Sequence, residues 1–195
     1  ISCRNWAGSS YLFAKYLQLF ANGLIVDCGT NSTDIVPVLD SRPLMLEGNL
    51  DRGYTRLRTG ELVWSGLYYT PVAAITNEIE LDGEIYHIKA SNKARTGDVY
   101  IVLKFVSPRE LDFSVSERGI EYHLWGEIKP SYGDSLDKIL DLIAGDMEIL
   151  SKNDAVKIAE FISKKQKEKI RISLQMVIDR VKKNKGVSLN RVIVA

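Results

Sequence analysis

An excess of charge of either sign is missing from this sequence. Its 195 residues include 26 lysines and arginines against 25 aspartates and glutamates, which gives a formal net charge of +1. So balanced a chain has no overall field that favours nucleic acid or an anionic membrane. We therefore expect neither as a partner, and a site for an anion has to be built locally.

Cysteine and histidine are scarce as well. The two cysteines, Cys3 and Cys28, have no CxxC spacing, and the chain is too long for a disulfide-dense secreted scaffold, which indicates a reducing compartment. The two histidines, His87 and His123, leave little material for a zinc site or a serine triad. Neither a Walker A loop nor a dinucleotide-binding fingerprint is present. A catalytic site must therefore use other residue types.

Long apolar runs are also missing. No uninterrupted apolar stretch approaches the ~20 residues that span a bilayer, and no signal peptide opens the chain. We therefore expect a cytoplasmic protein. The chain starts at Ile1 and stops inside the apolar run Val192-Ile193-Val194-Ala195, so we expect that it is truncated at both ends.

The hydrophobic pattern predicts a mixed α/β fold. Apolar residues at helical spacing predict an amphipathic helix over residues 9–21, and short apolar or alternating runs predict strands at residues 24–26, 33–39 and 44–46. Further along the chain we predict a helix at 54–64, a hairpin at 79–88 around Asp82-Gly83, an apolar run at 99–106 that is helix or strand, a hairpin at 111–128 around Arg118-Gly119, a helix at 136–143, and a long helix that begins at Asn153 or Asp154 and ends at Gly186.

The segment most informative about function is the polar bend between the first two predicted strands, Asp27-Cys28-Gly29-Thr30-Asn31-Ser32-Thr33-Asp34. Gly29 allows the backbone to approach a ligand closely, and consecutive N–H groups at such a turn form a site for an anion. The side chains of Thr30, Asn31, Ser32 and Thr33 add neutral hydrogen-bond donors. The pattern therefore predicts a phosphate-binding loop.

Two carboxylates flank this bend. Asp27 ends one strand and Asp34 begins the next, and both would repel a phosphate unless a cation intervened. A Mg²⁺ ion held through water by Asp27, Asp34 or both would remove that conflict. The alternative is a hairpin whose Asx and Ser/Thr turns bind no ligand. Local sequence leaves both interpretations open.

Residues 56–71 are dense in arginine, aromatic residues and glycine. Such a mixture suits an anionic or aromatic substrate. Residue types favour a different interpretation, a helix and turn packed on the sheet, with Trp64 in the core and Arg56 and Arg58 in solvent.

Several of these segments also resemble a known family. Residues 26–38 resemble the second phosphate loop of hydantoinase/oxoprolinase-like members of the actin-like ATPase superfamily. Within it, four further motifs resemble, in order, the tetrahydromethanopterin-linked C1-transfer pathway protein family: Asn5-Trp6, Gly60-Glu61-Leu62-Val63-Trp64-Ser65-Gly66, Thr70-Pro71-Val72 and Thr96-Gly97-Asp98-Val99-Tyr100.

The resemblance implies a fold and a domain organisation. The fold is a ribonuclease-H-like lobe, one of two around a phosphate cleft, in which residues 99–106 are helical. Residues 1–22 would be a helix that leads into the lobe. Residues 23–195 would form the phosphate-binding lobe, with hairpin insertions at 79–88 and 111–128 and with helices at its C-terminal end. An amino-terminal portion with a first phosphate loop would be missing from this chain.

The resemblance also implies an activity. The family includes the synthase of methanofuran biosynthesis, which joins γ-glutamyltyramine to an aminomethylfuran-methyl diphosphate and releases diphosphate. In this interpretation residues 29–33 hold the phosphate ester, Asp27 and Asp34 manage Mg²⁺ or water, and Glu61 or Asp98 assists deprotonation. The chain departs from the family pattern at Tyr69, where an arginine is usual, and in the region 107–118.

Two alternatives accompany this leading hypothesis. The same fold could serve an ATP-dependent kinase or a hydantoinase/oxoprolinase-type enzyme, with ATP as the bound nucleotide. A third possibility is a non-catalytic interaction protein whose bend has become structural. A homo-oligomer is compatible with each of the three.

Overall fold

The computed structural model describes residues 5–16, 22–44, 53–108, 114–117, 120–123 and 131–194, which form the predicted mixture of helices and strands. The helices are α1 (Asn5–Tyr11, continued by a π-helical turn at Leu12–Tyr16), α2 (Gly53–Thr59), α3 (Thr96–Val102), α4 (Tyr132–Asp141) and α5 (Lys152–Lys185). The strands are β1 (Gly23–Cys28), β2 (Thr33–Leu39), β3 (Arg42–Pro43), β4 (Leu62–Val63), β5 (Glu78–Leu81), β6 (Glu84–His87), β7 (Ser114–Glu117), β8 (Ile120–His123) and β9 (Val192–Val194).

The chain forms two compact units. The first comprises Ile1–Gly66 and Glu168–Ala195, and the second comprises Leu67–Lys167. The division therefore falls within α5. The predicted organisation, residues 1–22 leading into a lobe of residues 23–195, stays a prediction.

A mixed sheet forms the centre of the first unit. Its strand order is β3-β2-β1-β9, with β4 also paired to β2. Strand β9 runs parallel to β1, and the other pairs are antiparallel. Side chains alternate between the two faces of a strand, so both faces of this sheet can be covered.

Each face of the sheet carries its own hydrophobic cluster. On one face Ile25, Val36 and Val38 are buried with Ala14 of the π-helical turn. On the other face the cluster contains the buried residues Leu24, Ile35 and Val63 together with Val177 and Val181 of α5. Because adjacent residues of β1 lie in different clusters, the sheet is buried on both sides.

Tight turns follow the expected chemistry at two hairpins. Asp82 and Gly83, between β5 and β6, have φ values of 53° and 88°, which fits the two-residue turn that the sequence predicts there. Asp40 and Ser41, between β2 and β3, also have positive φ values, 50° and 59°. The strand that follows is Arg42–Pro43 rather than the predicted 44–46, of which residues 45 and 46 lie outside the described residues.

Two predicted helices differ in extent from the structure. The first is already helical at Asn5, and the end of the predicted range, residues 17–21, lies outside the described residues. The second was predicted to reach residue 64 but ends at Thr59, because Gly60 adopts φ +80° and the chain returns as β4.

The second unit packs helices α3 and α4 and the first half of α5 around one core, with β5 and β6 as its hairpin. Large side chains that are completely buried there include Ile79, Val99, Ile139, Leu140 and Ile158. The resemblance implies a helix over residues 99–106, and the structure confirms it for residues 99–102, where α3 ends; residues 103–106 form a turn and a bend. Strands β7 and β8 pair as the predicted second hairpin, whose turn, residues 118–119, lies outside the described residues.

The cap of the long helix α5 lies two or three residues earlier than predicted. Ser151 precedes it and accepts a hydrogen bond from the Asp154 backbone N–H at 3.2 Å, while the Asp154 carboxylate accepts from the Ser151 backbone N–H at 2.9 Å. This reciprocal pair is a capping box. The prediction that Asn153 or Asp154 is the cap is therefore wrong, because Asp154 supplies the second half of the box.

Among the described residues, no helix is both long enough and apolar enough to cross a bilayer.

Candidate functional site

The polar bend joins β1 and β2 at one end of the sheet. Asp27 pairs with Asp34 and Cys28 with Thr33, so residues 29–32 form the connection. The Gly29 backbone N–H donates to the Ser32 carbonyl at 2.9 Å and closes it. Residues 30 and 31 are exposed, and residues 29 and 32 are half-buried. The predicted bend is thus present, and its tip is open to solvent.

Gly29 is needed less for an unusual backbone conformation than for space. Its φ lies outside the left-handed region, whereas a Cβ atom placed on it would lie 3.2 Å from the Ser32 carbonyl oxygen. A contact of that length is tighter than ordinary van der Waals packing. A side chain at this position would therefore push against the hydrogen bond that closes the bend.

The backbone at residues 65–66 packs against the bend. The Thr33 hydroxyl donates to the Ser65 carbonyl at 2.7 Å, and Thr33 is itself buried. A Cβ atom on Gly66 would lie 2.4 Å from the backbone nitrogen of Asn31, so only glycine fits there. The Thr33 hydroxyl therefore donates its proton to Ser65 and not to a ligand, and residues 65–66 hold the bend in place.

The two flanking carboxylates share one face of the sheet, because Asp27 and Asp34 are directly opposite each other. The Arg56 guanidinium donates to Asp34 Oδ1 at 2.6 Å through Nη1 and to the Glu61 carbonyl at 2.8 Å through Nη2. Burial raises the pKa of Asp34, the charge and hydrogen bond of Arg56 oppose that rise, and the nearby Asp27 adds to it. Arg56 therefore supplies the countercharge for one of the two carboxylates.

Two residues of the segment 56–71 contradict the favoured interpretation of the sequence. Arg56 was predicted to be in solvent but is 6% exposed, and Trp64 was predicted in the core but is 64% exposed. The reversal has a physical reason, since a carboxylate that is largely removed from water, such as Asp34 with a side chain 15% exposed, is stabilised by a cation beside it. Helical spacing alone does not reveal which arginine faces the sheet.

Glu61 belongs to the same polar cluster. It is 4% exposed, and its Oε2 accepts a hydrogen bond from the Thr59 hydroxyl at 2.5 Å. Its carbonyl oxygen also accepts from the Ile35 backbone N–H at 2.8 Å. The structure therefore brings Asp34 and Glu61 together through Arg56. A role for Glu61 in deprotonation stays a prediction, because a base must lie within hydrogen-bond reach of the substrate.

Asp98, the other predicted proton acceptor, lies in the second unit. It is completely buried, and its Oδ2 accepts from the Arg95 backbone N–H at 3.0 Å at the start of α3. Its Oδ1 accepts from the Ser135 hydroxyl and from Lys138 Nζ, each at 3.0 Å. These bonds join α3 to α4 and give Asp98 a structural role, and the catalytic role stays a prediction.

The carboxylate oxygens beside the bend fit a magnesium ion that is coordinated mainly by substrate phosphate and by water. Mg²⁺ usually keeps several waters and takes one or two protein carboxylates together with substrate phosphates. Asp27 is half-buried beside the bend and is suited to that role, whereas one oxygen of Asp34 is bonded to Arg56. Within the described ranges, no group of three or more His, Cys, Asp or Glu side chains gathers as a metal site.

Two curated proteins that share one name are similar in sequence to this chain. No protein-family model matches the chain. It is 23% identical over 184 residues to the (4-{4-[2-(gamma-L-glutamylamino)ethyl]phenoxymethyl}furan-2-yl)methanamine synthase of Methanocaldococcus jannaschii, a match that covers 94% of this chain and 51% of the relative. It is 26% identical over 163 residues to the synthase of the same name from Methanococcus vannielii, covering 83% of this chain and 64% of the relative.

These relatives agree with the resemblance in the sequence. Both are named for a product in which a phenoxy group is joined through a methylene to a furan that carries a methanamine. The similarity to a synthase of this kind is therefore confirmed, while the placement in the actin-like ATPase superfamily stays a prediction. The chain spans about half the length of the first relative and less than two thirds of the second.

Proposed function

We propose that this chain is part of a transferase that makes an aryl ether from a phenolic compound of the γ-glutamyltyramine type and an aminomethylfuran-methyl diphosphate. The similarity of 94% of the chain to a synthase named for such an ether carries the proposal. The bend at residues 29–32, whose tip at residues 30 and 31 is exposed, supports it, because the reaction needs a binding site for diphosphate.

The reaction is a substitution at the methylene carbon attached to the furan. The phenolic oxygen gives its proton to a general base, for which Glu61 is the candidate in the same unit as the bend, and forms a bond to that carbon. The bond between the carbon and the diphosphate oxygen breaks, and diphosphate leaves with the electron pair. Catalysis then depends mainly on holding the two reactants in line and on stabilising the charge of the leaving group.

The bend is proposed to bind the leaving group. The Gly29 N–H already donates to the Ser32 carbonyl, so the backbone N–H groups of the exposed residue Thr30 and of the half-buried residue Ser32, together with the Thr30 hydroxyl, are proposed as the donors. Hydrogen bonds to charged oxygens are stronger than those between neutral groups. Ser32 adds a hydroxyl at the half-buried side. The Thr33 hydroxyl instead donates to Ser65, so it contributes to the rigidity of the bend.

The charge around the bend is proposed to be tuned by Arg56. Its ion pair with Asp34 leaves Asp27 as the carboxylate available to a magnesium ion. When bound, Mg²⁺ would offset the negative charge of the diphosphate and make it a better leaving group. A single uncompensated carboxylate repels a diphosphate less than two would, and Arg56 therefore favours binding.

The fold is proposed to be a ribonuclease-H-like lobe of the actin-like kind. An antiparallel pair, β1 and β2, beside a parallel strand, β9, supports this proposal. A phosphate loop at the β1–β2 bend would then have the position that the resemblance implies.

The activity is tested by incubating the protein with γ-glutamyltyramine, the furan diphosphate and Mg²⁺, and by measuring released diphosphate and the ether by mass spectrometry. We expect both products in equal amounts, with Thr30→Ala weakening diphosphate binding up to about tenfold through one lost hydrogen bond. Saturable ATP binding with phosphate release, and no ether, would instead support a kinase or hydantoinase/oxoprolinase-type enzyme.

A further inference from the structure

Trp64 is a large aromatic side chain that the first unit leaves in solvent. It is 64% exposed, although burial of a tryptophan removes roughly 150–250 Å² of mostly apolar surface from water and is favourable. Its neighbours are held firmly, since Val63 is 3% exposed and Ser65 is completely buried. The indole is therefore exposed to water, while the residues on both sides of it are buried.

The position of Trp64 ties it to the phosphate-binding bend. Val63 pairs with Thr33 across the sheet, and the Ser65 carbonyl accepts from the Thr33 hydroxyl. The Cα atoms of Trp64 and Thr33 are therefore at most about 9 Å apart, from one step along the chain and one cross-strand spacing. Gly66, two residues after Trp64, packs against the backbone of Asn31.

We infer that Trp64 is a specificity-determining residue that contacts the furan ring of the diphosphate ester. This inference rests on the proposed function. In that ester a single methylene separates the ring from the diphosphate, so a diphosphate at residues 29–32 places the ring close to the bend. An indole attracts an aromatic ring by offset stacking and attracts the aminomethyl cation through its π face.

Binding measurements on two ligands test the inference. Calorimetry is used to compare the furan diphosphate ester with inorganic diphosphate, each with Mg²⁺, for the wild type, Trp64→Ala and Trp64→Phe. We expect Trp64→Ala to weaken the ester roughly 5- to 30-fold and to leave inorganic diphosphate within about twofold. Trp64→Phe keeps an aromatic face and should recover most of the lost affinity.

Tyr54 provides a matched control, because it is 63% exposed on α2 of the same unit. Tyr54→Ala should leave the affinities for both ligands within about twofold. The melting temperature of each variant is recorded, and we expect little change since both side chains lie mainly in solvent.

The other outcomes overturn the inference in different ways. Equal weakening of both ligands by Trp64→Ala would indicate a disturbed bend. An unchanged affinity for the ester with a raised KM for the phenolic compound would assign the indole to the acceptor. If the wild type turns over and Trp64→Ala is unaffected, only this inference fails. If the wild type neither binds the ester nor releases diphosphate, the proposed function fails together with it.

Discussion

Replacing Arg56 by methionine tests the charge arrangement beneath the bend. Methionine keeps the length and apolar stem of the side chain but removes the guanidinium. Arg56 is 6% exposed, the Asp34 side chain is 15% exposed, and the pair is joined at 2.6 Å. Removing one partner of a buried pair costs roughly 3–5 kcal/mol because the other charge is left uncompensated. Asp34 keeps some access to water, so we expect about 3 kcal/mol, or a fall in Tm of about 6–12 °C.

The pH dependence of this loss identifies its cause. Burial already raises the pKa of Asp34 above its ordinary value of 3.8, and Arg56 acts against the rise. Without Arg56 the folded-state pKa rises further. An acid whose pKa is raised by folding stabilises the folded state at low pH and loses that contribution as the pH rises through the folded value. The defect of Arg56→Met should therefore be full at about pH 8 and shrink on acidification towards the unfolded value, as Asp34 becomes protonated.

Urea unfolding followed by circular dichroism measures the free energy of unfolding at each pH. Arg58→Met is the control, an exposed arginine on the same helix, and should change stability by less than about 0.5 kcal/mol. Adding Asp34→Asn to Arg56→Met should recover part of the loss, because the uncompensated charge is then gone. The reasoning is refuted if Arg56→Met lowers the free energy of unfolding equally at about pH 8 and at acidic pH. It is also refuted if the effects of Arg56→Met and Asp34→Asn are additive within about 0.5 kcal/mol.

Three further predictions concern glycine, backbone strain and the free thiol. Gly66→Ala should destabilise the protein by about 1–3 kcal/mol and weaken diphosphate binding, since its Cβ would lie 2.4 Å from the backbone nitrogen of Asn31 in the bend. Gly133→Ala on α4 is the control: a Cβ there would meet only the Ser131 hydroxyl oxygen, 3.9 Å away, so the substitution should stabilise the protein by about 0.5–1 kcal/mol. Thermal unfolding compares the two variants, and equal effects would contradict the geometry. Ala144→Gly should raise the stability by about 1 kcal/mol, because Ala144 has φ 59°; a lower Tm would be the contrary result. Burial raises the pKa of Cys28 above its ordinary value of 9.0. Because the thiolate is the reactive form, the rate of iodoacetamide labelling in a Cys3→Ser background should still rise beyond pH 9. A rate that levels off below pH 9 would contradict the raised pKa.

Part of the candidate site was predictable because its signals are local. Asp27 and Asp34 stand at the ends of short apolar or alternating runs, and the polar residues between them predict a bend there. The observed connection, residues 29–32, is shorter than predicted because Cys28 still pairs with Thr33. The sequence does not contain a comparable signal for Arg56, whose carboxylate partner is 22 residues away in the chain. The same holds for Gly66, which resembles any turn glycine until its contact with Asn31 is known.

The sequence by itself determined the mixed α/β class, the bend, the Asp82-Gly83 turn and the long helix α5. Each of these depends on turn chemistry or on hydrophobic spacing over a few neighbouring residues, which a linear chain displays directly. Only the tertiary structure decided that Arg56 is buried beside Asp34 while Trp64 is exposed. Those outcomes depend on which face of an element meets the sheet and on desolvation of charges brought together across the chain, and neither is visible in local sequence.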